Sequence, residues 1–182
     1  MNRKNLGFSM LELLIVIAII GIIAALALPS AINFIKGYRL HADASAIASQ
    51  LNVTRFRATS QYRPYRLRID STNRLFIVER LSTTYGSPQP EATLGLREGI
   101  QFLTACPVTA KPGTIPATLM TASTAIYFNT RGLPVDSTGA PTNNNVIYLT
   151  NDSGLNDAVT VSLGGRITVW NYLVATSSWV AR

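Results

Sequence analysis

From Leu13 to Leu28 the chain offers no charged or hydrogen-bonding side chain, and a single carboxylate, Glu12, stands at the head of this run. Such a segment is shaped by its solvent. Wound as a helix, residues 8–28 rise about 31 Å, the depth of one bilayer core. The run can therefore span a membrane. Arg3 and Lys4 precede it, and residues 1–6 contain no acid. The positive-inside rule then places this end in the cytoplasm and the remainder of the chain outside. A cleaved secretory signal would share the basic start, the apolar core and a small-residue cut such as Ala25-Leu26-Ala27. That reading leaves Glu12 without a purpose, since charged residues in spans are rare and usually partnered. A plain single-pass anchor, with Glu12 snorkelling to the headgroups, is the other simple alternative.

Gly7, Phe8 and Glu12, with Ser9-Met10-Leu11 between them and Pro29 beyond the apolar run, resemble the class III signal of type IV pilins and type II secretion pseudopilins. The resemblance implies that a prepilin peptidase cuts between Gly7 and Phe8, removing a leader of residues 1–7, and N-methylates Phe8. It also implies that Glu12 meets the N-terminal amine of a neighbouring subunit as the chain enters a filament. Ser9 and Met10 stand where threonine and leucine or isoleucine are commoner in that superfamily. Physically, a free amine at Phe8 lies one helical turn from Glu12, and pairing the carboxylate offsets a desolvation cost of several kcal/mol. Pairing within one chain is the alternative. The implied partners are other pilin or pseudopilin subunits, the prepilin peptidase, an inner-membrane assembly platform and the membrane itself. No cofactor and no enzymatic activity are implied.

Downstream, Pro29 removes a backbone hydrogen bond and is expected to kink or loosen the helix, and Gly21 lowers helix propensity ahead of it. The pattern then turns amphipathic. Leu40, Ala44, Ile47, Leu51, Thr54 and Ala58 recur at three- and four-residue steps, while Arg39, Asp43, Gln50 and Arg57 take another face. Arg39 and Asp43 have the spacing of an i,i+4 ion pair. The chain thus reads as one long helix, with a transmembrane, filament-core half over residues 8–29 and an amphipathic half over residues 30–60.

Residues 61–182 read as a β-rich head. Alternating apolar and charged residues predict strands at 65–70 and 74–80, joined by a turn at 71–73. Residues 81–95 read as an irregular loop, because Ser, Thr, Gly and Pro dominate them. Further strands are expected at 100–102, 125–128, 146–149, 159–163 and 166–170, the last two joined through Gly164-Gly165. Residues 170–182, with Trp170, Tyr172 and Trp179, suit an extra strand, a contact surface or core closure. The fold class is α+β, a long N-terminal helix packed on a small antiparallel head. A Phe-x-x-x-Gly element (Phe128 to Gly132), a strand pair and a closing Gly165-Arg166 hairpin resemble the GspH/FimT group of minor pilins and pseudopilins. That resemblance implies two small sheets against the second half of the helix. It also implies a structural subunit that helps initiate or cap assembly of a type IV pilus or type II secretion pseudopilus.

Chemistry in the head is sparse. His41 is the sole histidine and Cys106 the sole cysteine, so neither a metal cluster nor an intramolecular disulfide is visible. The head must be held by its core, and a missing disulfide fits a minor component better than a major pilin. Residues 151–157 offer loop oxygens without the spacing of a calcium loop and read as a solvated turn. The formal net charge is +7, or +5 without Arg3 and Lys4. Arg55, Arg57, Arg63, Arg66, Arg68, Arg74 and Arg80 crowd one stretch against Asp70 and Glu79, with Tyr62 and Tyr65 between them. This pattern carries the alternative function, a DNA-binding minor pilin acting in DNA uptake, with Arg66, Arg68 and Arg166 as the contacts. Some FimT-type proteins use Gly-Arg-x-Arg in the closing hairpin; here Arg166 matches and Thr168 does not. A solvated face, or pairing with acidic neighbours, explains the same arginines.

Overall fold

The computed structural model describes residues 9–82, 85–107, 122–143 and 145–182. The chain divides into two compact units, Met1–Ile35 and Lys36–Arg182. One helix, α1 (Met10–Ser60), runs through both. Ser9 caps its start, its Oγ accepting the N–H of Leu11 at 3.2 Å. Within the first unit every described residue is exposed, and the helix is apolar and long enough to cross a membrane. Pro29 does not break it. The helical span continues through Pro29, as a proline whose cost is one lost N–H and a local clash allows in a long helix.

In the second unit the amphipathic stripe is buried as its spacing predicts. Leu40, Ala44, Ile47, Leu51, Thr54 and Ala58 are all fully buried. Asp43 is buried with them, at 5% exposure, and so leaves the polar face assigned to it. It is held there by Arg97, whose backbone N–H reaches Asp43 Oδ2 at 2.8 Å and whose Nη1 lies 3.2 Å from Oδ1. Asp43 therefore ties α1 to the chain before the fourth strand, in place of the expected pair with Arg39. Burial pushes its carboxyl pKa up, and the bonds from Arg97 pull against that rise.

Among the described residues ten strands follow: β1 (Tyr65–Asp70), β2 (Leu75–Arg80), β3 (Gln89–Gly95), β4 (Ile100–Leu103), β5 (Ala125–Phe128), β6 (Pro134–Val135), β7 (Asn145–Asn151), β8 (Asn156–Val161), β9 (Ile167–Leu173) and β10 (Ser178–Ala181). They form two antiparallel five-stranded sheets, ordered β3-β2-β1-β5-β6 and β10-β9-β8-β7-β4. The α1 stripe packs into a shared core with Tyr65, Leu67, Phe76 and Val78 of the first sheet and Ile147, Leu149, Val159 and Val161 of the second. The second sheet is also covered on its other face, where Trp179 sits 5.9 Å from the Tyr148 ring and 5.3 Å from the Tyr172 ring. Residues 170–182 are thus strand and core closure.

Three expectations about the strands change. Residues 89–95 form β3 where an irregular loop was expected, since Ala92 and Leu94 pack against the core while Pro90 sits on an edge strand, where a missing N–H is tolerated. The short strand β6 adds a further edge. The closing hairpin turns over Ser162 to Gly165, with Gly165 N–H donating to Ser162 O at 2.7 Å, so Leu163 lies outside β8.

Arg55 joins two turns to the helix. Its Nε donates to Gly132 O at 3.0 Å and its Nη1 to Gly165 O at 2.9 Å. Both glycines have left-handed backbones, at φ +73° and +79°. A Cβ on Gly132 would lie 2.9 Å from Thr59 Cγ2, and one on Gly165 would lie 3.0 Å from both Arg55 Cζ and Gly132 O. The Phe128–Gly132 and Gly165-Arg166 elements are therefore glycine-bearing because the helix approaches there. Gly165→Ala should cost more than about 1 kcal/mol in urea unfolding. Gly164→Ala, with nothing within 4 Å of the new Cβ, should be near neutral.

Candidate functional site

Two regions carry the residues singled out above. In the N-terminal region, Gly7 and Phe8, and with them the leader of residues 1–7, lie outside the described residues. Glu12 occupies the first turn of α1, where a carboxylate is favoured by the helix dipole, and it is exposed amid an apolar surface. Pro29 is also exposed, inside the helix. No salt bridge among the described residues includes Glu12.

The second region is the arginine cluster, which the fold distributes among carboxylates. Cross-strand register sets Arg66 of β1 opposite Glu79 of β2 and opposite Tyr127 of β5. The Arg66 guanidinium bonds Glu79 Oε2 through Nε, donates to Tyr127 OH at 3.0 Å and lies 5.5 Å from the Tyr127 ring centre. Arg68 Nε reaches the other oxygen of Glu79 at 3.0 Å. The Glu79 side chain is 6% exposed and that of Arg66 17%, so this pair is largely removed from water. Burial opposes the charge on Arg66, but its bonds to Glu79 and Tyr127 outweigh that and raise its pKa. Arg57 and Arg80 share Glu91, at 3.1 and 3.7 Å. Tyr65 donates to Gln61 and to the same Glu91, both at 2.8 Å. Burial, then the neighbouring carboxylate, pushes the Tyr65 hydroxyl up to about 12. Arg166 alone of the three arginines assigned to DNA is exposed without such a carboxylate among the described residues. The structure does not bring it together with Arg66 and Arg68 in any bond.

The sole histidine has a partner that helical spacing could not reveal. His41 Nδ1 bonds Asp157 Oδ2 on β8, and Asn171 of β9 donates to Asp157 Oδ1 at 2.9 Å. Asp157 is fully buried, so this is a packing contact between α1 and the second sheet. The turn before it is closed by Asn151, whose Oδ1 accepts the N–H groups of Ser153 and Leu155, each at 3.0 Å. Among the described residues no group of His, Cys, Asp and Glu is arranged to hold a metal ion. The pairing of Arg66 with Glu79 was accessible in principle: a hairpin closed at Asp70 and Leu75 counts back to Arg66 opposite Glu79.

Comparison with known proteins agrees with this geometry. The profile of the prokaryotic N-terminal methylation motif matches residues 2–28. The chain is 40% identical over 73 residues to the type II secretion system protein H of Xanthomonas campestris pv. campestris, covering 40% of this chain and 43% of that protein. The matched segment thus spans less than half the length of that relative. Among solved structures, the minor pseudopilin EpsH of the Vibrio cholerae type 2 secretion system superposes with a TM-score of 0.50 at 13% identity, covering 73% of this chain and 97% of that one. The likeness is to the GspH side of the expected group more than to FimT, and it lends no support to the DNA-uptake alternative.

The Glu79 pairing predicts an asymmetry in stability. Glu79→Gln takes the carboxylate from the largely buried Arg66 guanidinium and should cost about 3 kcal/mol in urea unfolding. Replacing Glu79 and Arg66 together by leucine should cost less than that single change. Motif, local sequence likeness and fold together make the chain GspH-like: a methylation-motif helix joined to a head with the minor-pseudopilin fold.

Proposed function

We propose that this chain is a minor pseudopilin, a structural subunit that helps initiate or cap the pseudopilus of a type II secretion system. The single observation that carries the reading is the union of the methylation motif at residues 2–28 with an EpsH-like head. In this reading a prepilin peptidase removes residues 1–7 and methylates Phe8. Before assembly, residues 8–29 anchor the chain in the inner membrane with the head in the periplasm. The excess of Arg3 and Lys4 ahead of the span supports that orientation.

Assembly then moves the apolar helix from lipid to a bundle of like helices. Glu12 is the one charge that must make this transfer, and the new amine at Phe8 of a neighbouring subunit is a cation of the right sign and depth. Pairing offsets a desolvation cost of several kcal/mol that Glu12 would otherwise carry into the filament. The pair would set the axial register of subunits, because a mismatch of one turn leaves both charges unpaired. The head's own chemistry supports a structural role: the described carboxylates Asp43, Glu79, Glu91 and Asp157 are each engaged by Arg or His in holding the fold.

Glu12→Ala removes a charge from the span, so membrane insertion should be unchanged or improved. Entry into the filament should be lost, measured as the fraction of the chain recovered in sheared pseudopili of a secreting strain. Normal recovery of the alanine variant would remove the pairing role.

A further inference from the structure

A groove of about 560 Å³ follows the exposed side of α1 in the second unit, lined by Ala48, Ser49, Asn52, Val53 and Phe56 and by Val169 of β9. Phe56 is 70% exposed. β9 runs against the direction of α1 along this groove. It begins just after Gly165, which is bonded to Arg55, and proceeds to Asn171, which is bonded through Asp157 to His41. One end of the groove is therefore the end where Arg55 gathers the Gly132 and Gly165 turns.

That end is basic and apolar at once. Residues 53–63, 129–135 and 158–169 hold five arginines and no acid. Arg57 is paired with Glu91, but no salt bridge among the described residues includes Arg131 or Arg166, and both are exposed. Each flanks one of the two glycines that Arg55 holds. Beside them Leu133 and Leu163 are 37% and 53% exposed. Scattered exposed apolar residues need no explanation, whereas a groove running toward two exposed leucines and two arginines outside the described salt bridges does.

We propose that this groove docks an amphipathic segment of a partner protein, with its apolar face against Val53, Phe56 and Val169 and its carboxylates on Arg131 and Arg166. Charge complementarity selects the acid, since a guanidinium fork binds a carboxylate through two N–H groups. The aliphatic part of the lining, Ala48, Val53 and Val169, suits the apolar side chains of a protein segment. Phe56 is the anchor, a large ring at the junction of the two halves of the site. Arg55 fixes the spacing of the two exposed arginines by holding both turns on one side chain.

The test uses the full chain in detergent micelles, titrated with two synthetic peptides that share a leucine–alanine face. One ends in glutamates and the other in lysines. The glutamate peptide should bind and the lysine peptide should not. Arg131→Gln with Arg166→Gln should weaken binding about tenfold or more, as should Phe56→Ala. All of these positions are exposed, so the melting temperature should hold. Equal binding of the two peptides, binding of neither, or variants that bind like the parent would overturn the proposal. A duplex oligonucleotide that displaces the glutamate peptide, with the steep salt dependence of phosphate contacts, would also overturn it by assigning the groove to nucleic acid.

Discussion

A single helix in this protein must satisfy two solvents, and the rest of the structure follows from that constraint. Over its first part α1 is apolar on every side, so nothing in the head is needed to cover it and lipid or like helices suit it equally. Over its second part it is apolar along one stripe only, and Leu40, Ala44, Ile47, Leu51 and Ala58 form the seam on which both sheets close. Removing the stripe would leave two five-stranded sheets with exposed inner faces, which is why the head is built on the helix rather than beside it.

Charge then fastens what apolar burial assembles. Asp43 with Arg97, His41 with Asp157, and Arg55 with the carbonyls of Gly132 and Gly165 each bind α1 to a different part of the head. Polar contacts of this sort add little net stability over apolar packing, because desolvation takes back much of the attraction. What they add is uniqueness, since each penalises a helix rotated or shifted by one turn. The cluster of arginines in residues 55–80, which in sequence looks like a surface for an anion, is in large part internal bookkeeping of this kind: Glu79 and Glu91 between them engage Arg57, Arg66, Arg68 and Arg80.

Much of this was legible in the sequence, for physical reasons that differ by element. The α1 stripe and the β1–β2 hairpin are strongly periodic, and periodicity survives folding because it is a statement about one face. β3 was not legible, because its proline and polar residues look like a loop until β2 is there to pair with them. Asp43 and Asp157 were placed on the surface or in a turn because their partners, Arg97 and His41, lie 54 and 116 residues away, and no spacing rule reaches that far. The roles of Gly132 and Gly165 became visible only with Arg55 between them.

In the proposed assembly the boundary between Gly7 and Phe8 is decisive, because a cut there would create the amine that Glu12 is proposed to meet. The most direct measurement is the intact mass and N-terminal sequence of the mature chain recovered from membranes that contain an active prepilin peptidase. The expected result is a chain that begins at N-methylated Phe8, and an unprocessed chain when Gly7 is replaced. A mature protein that begins at Leu28, after the small-residue stretch, or processing that is indifferent to Gly7, would contradict it.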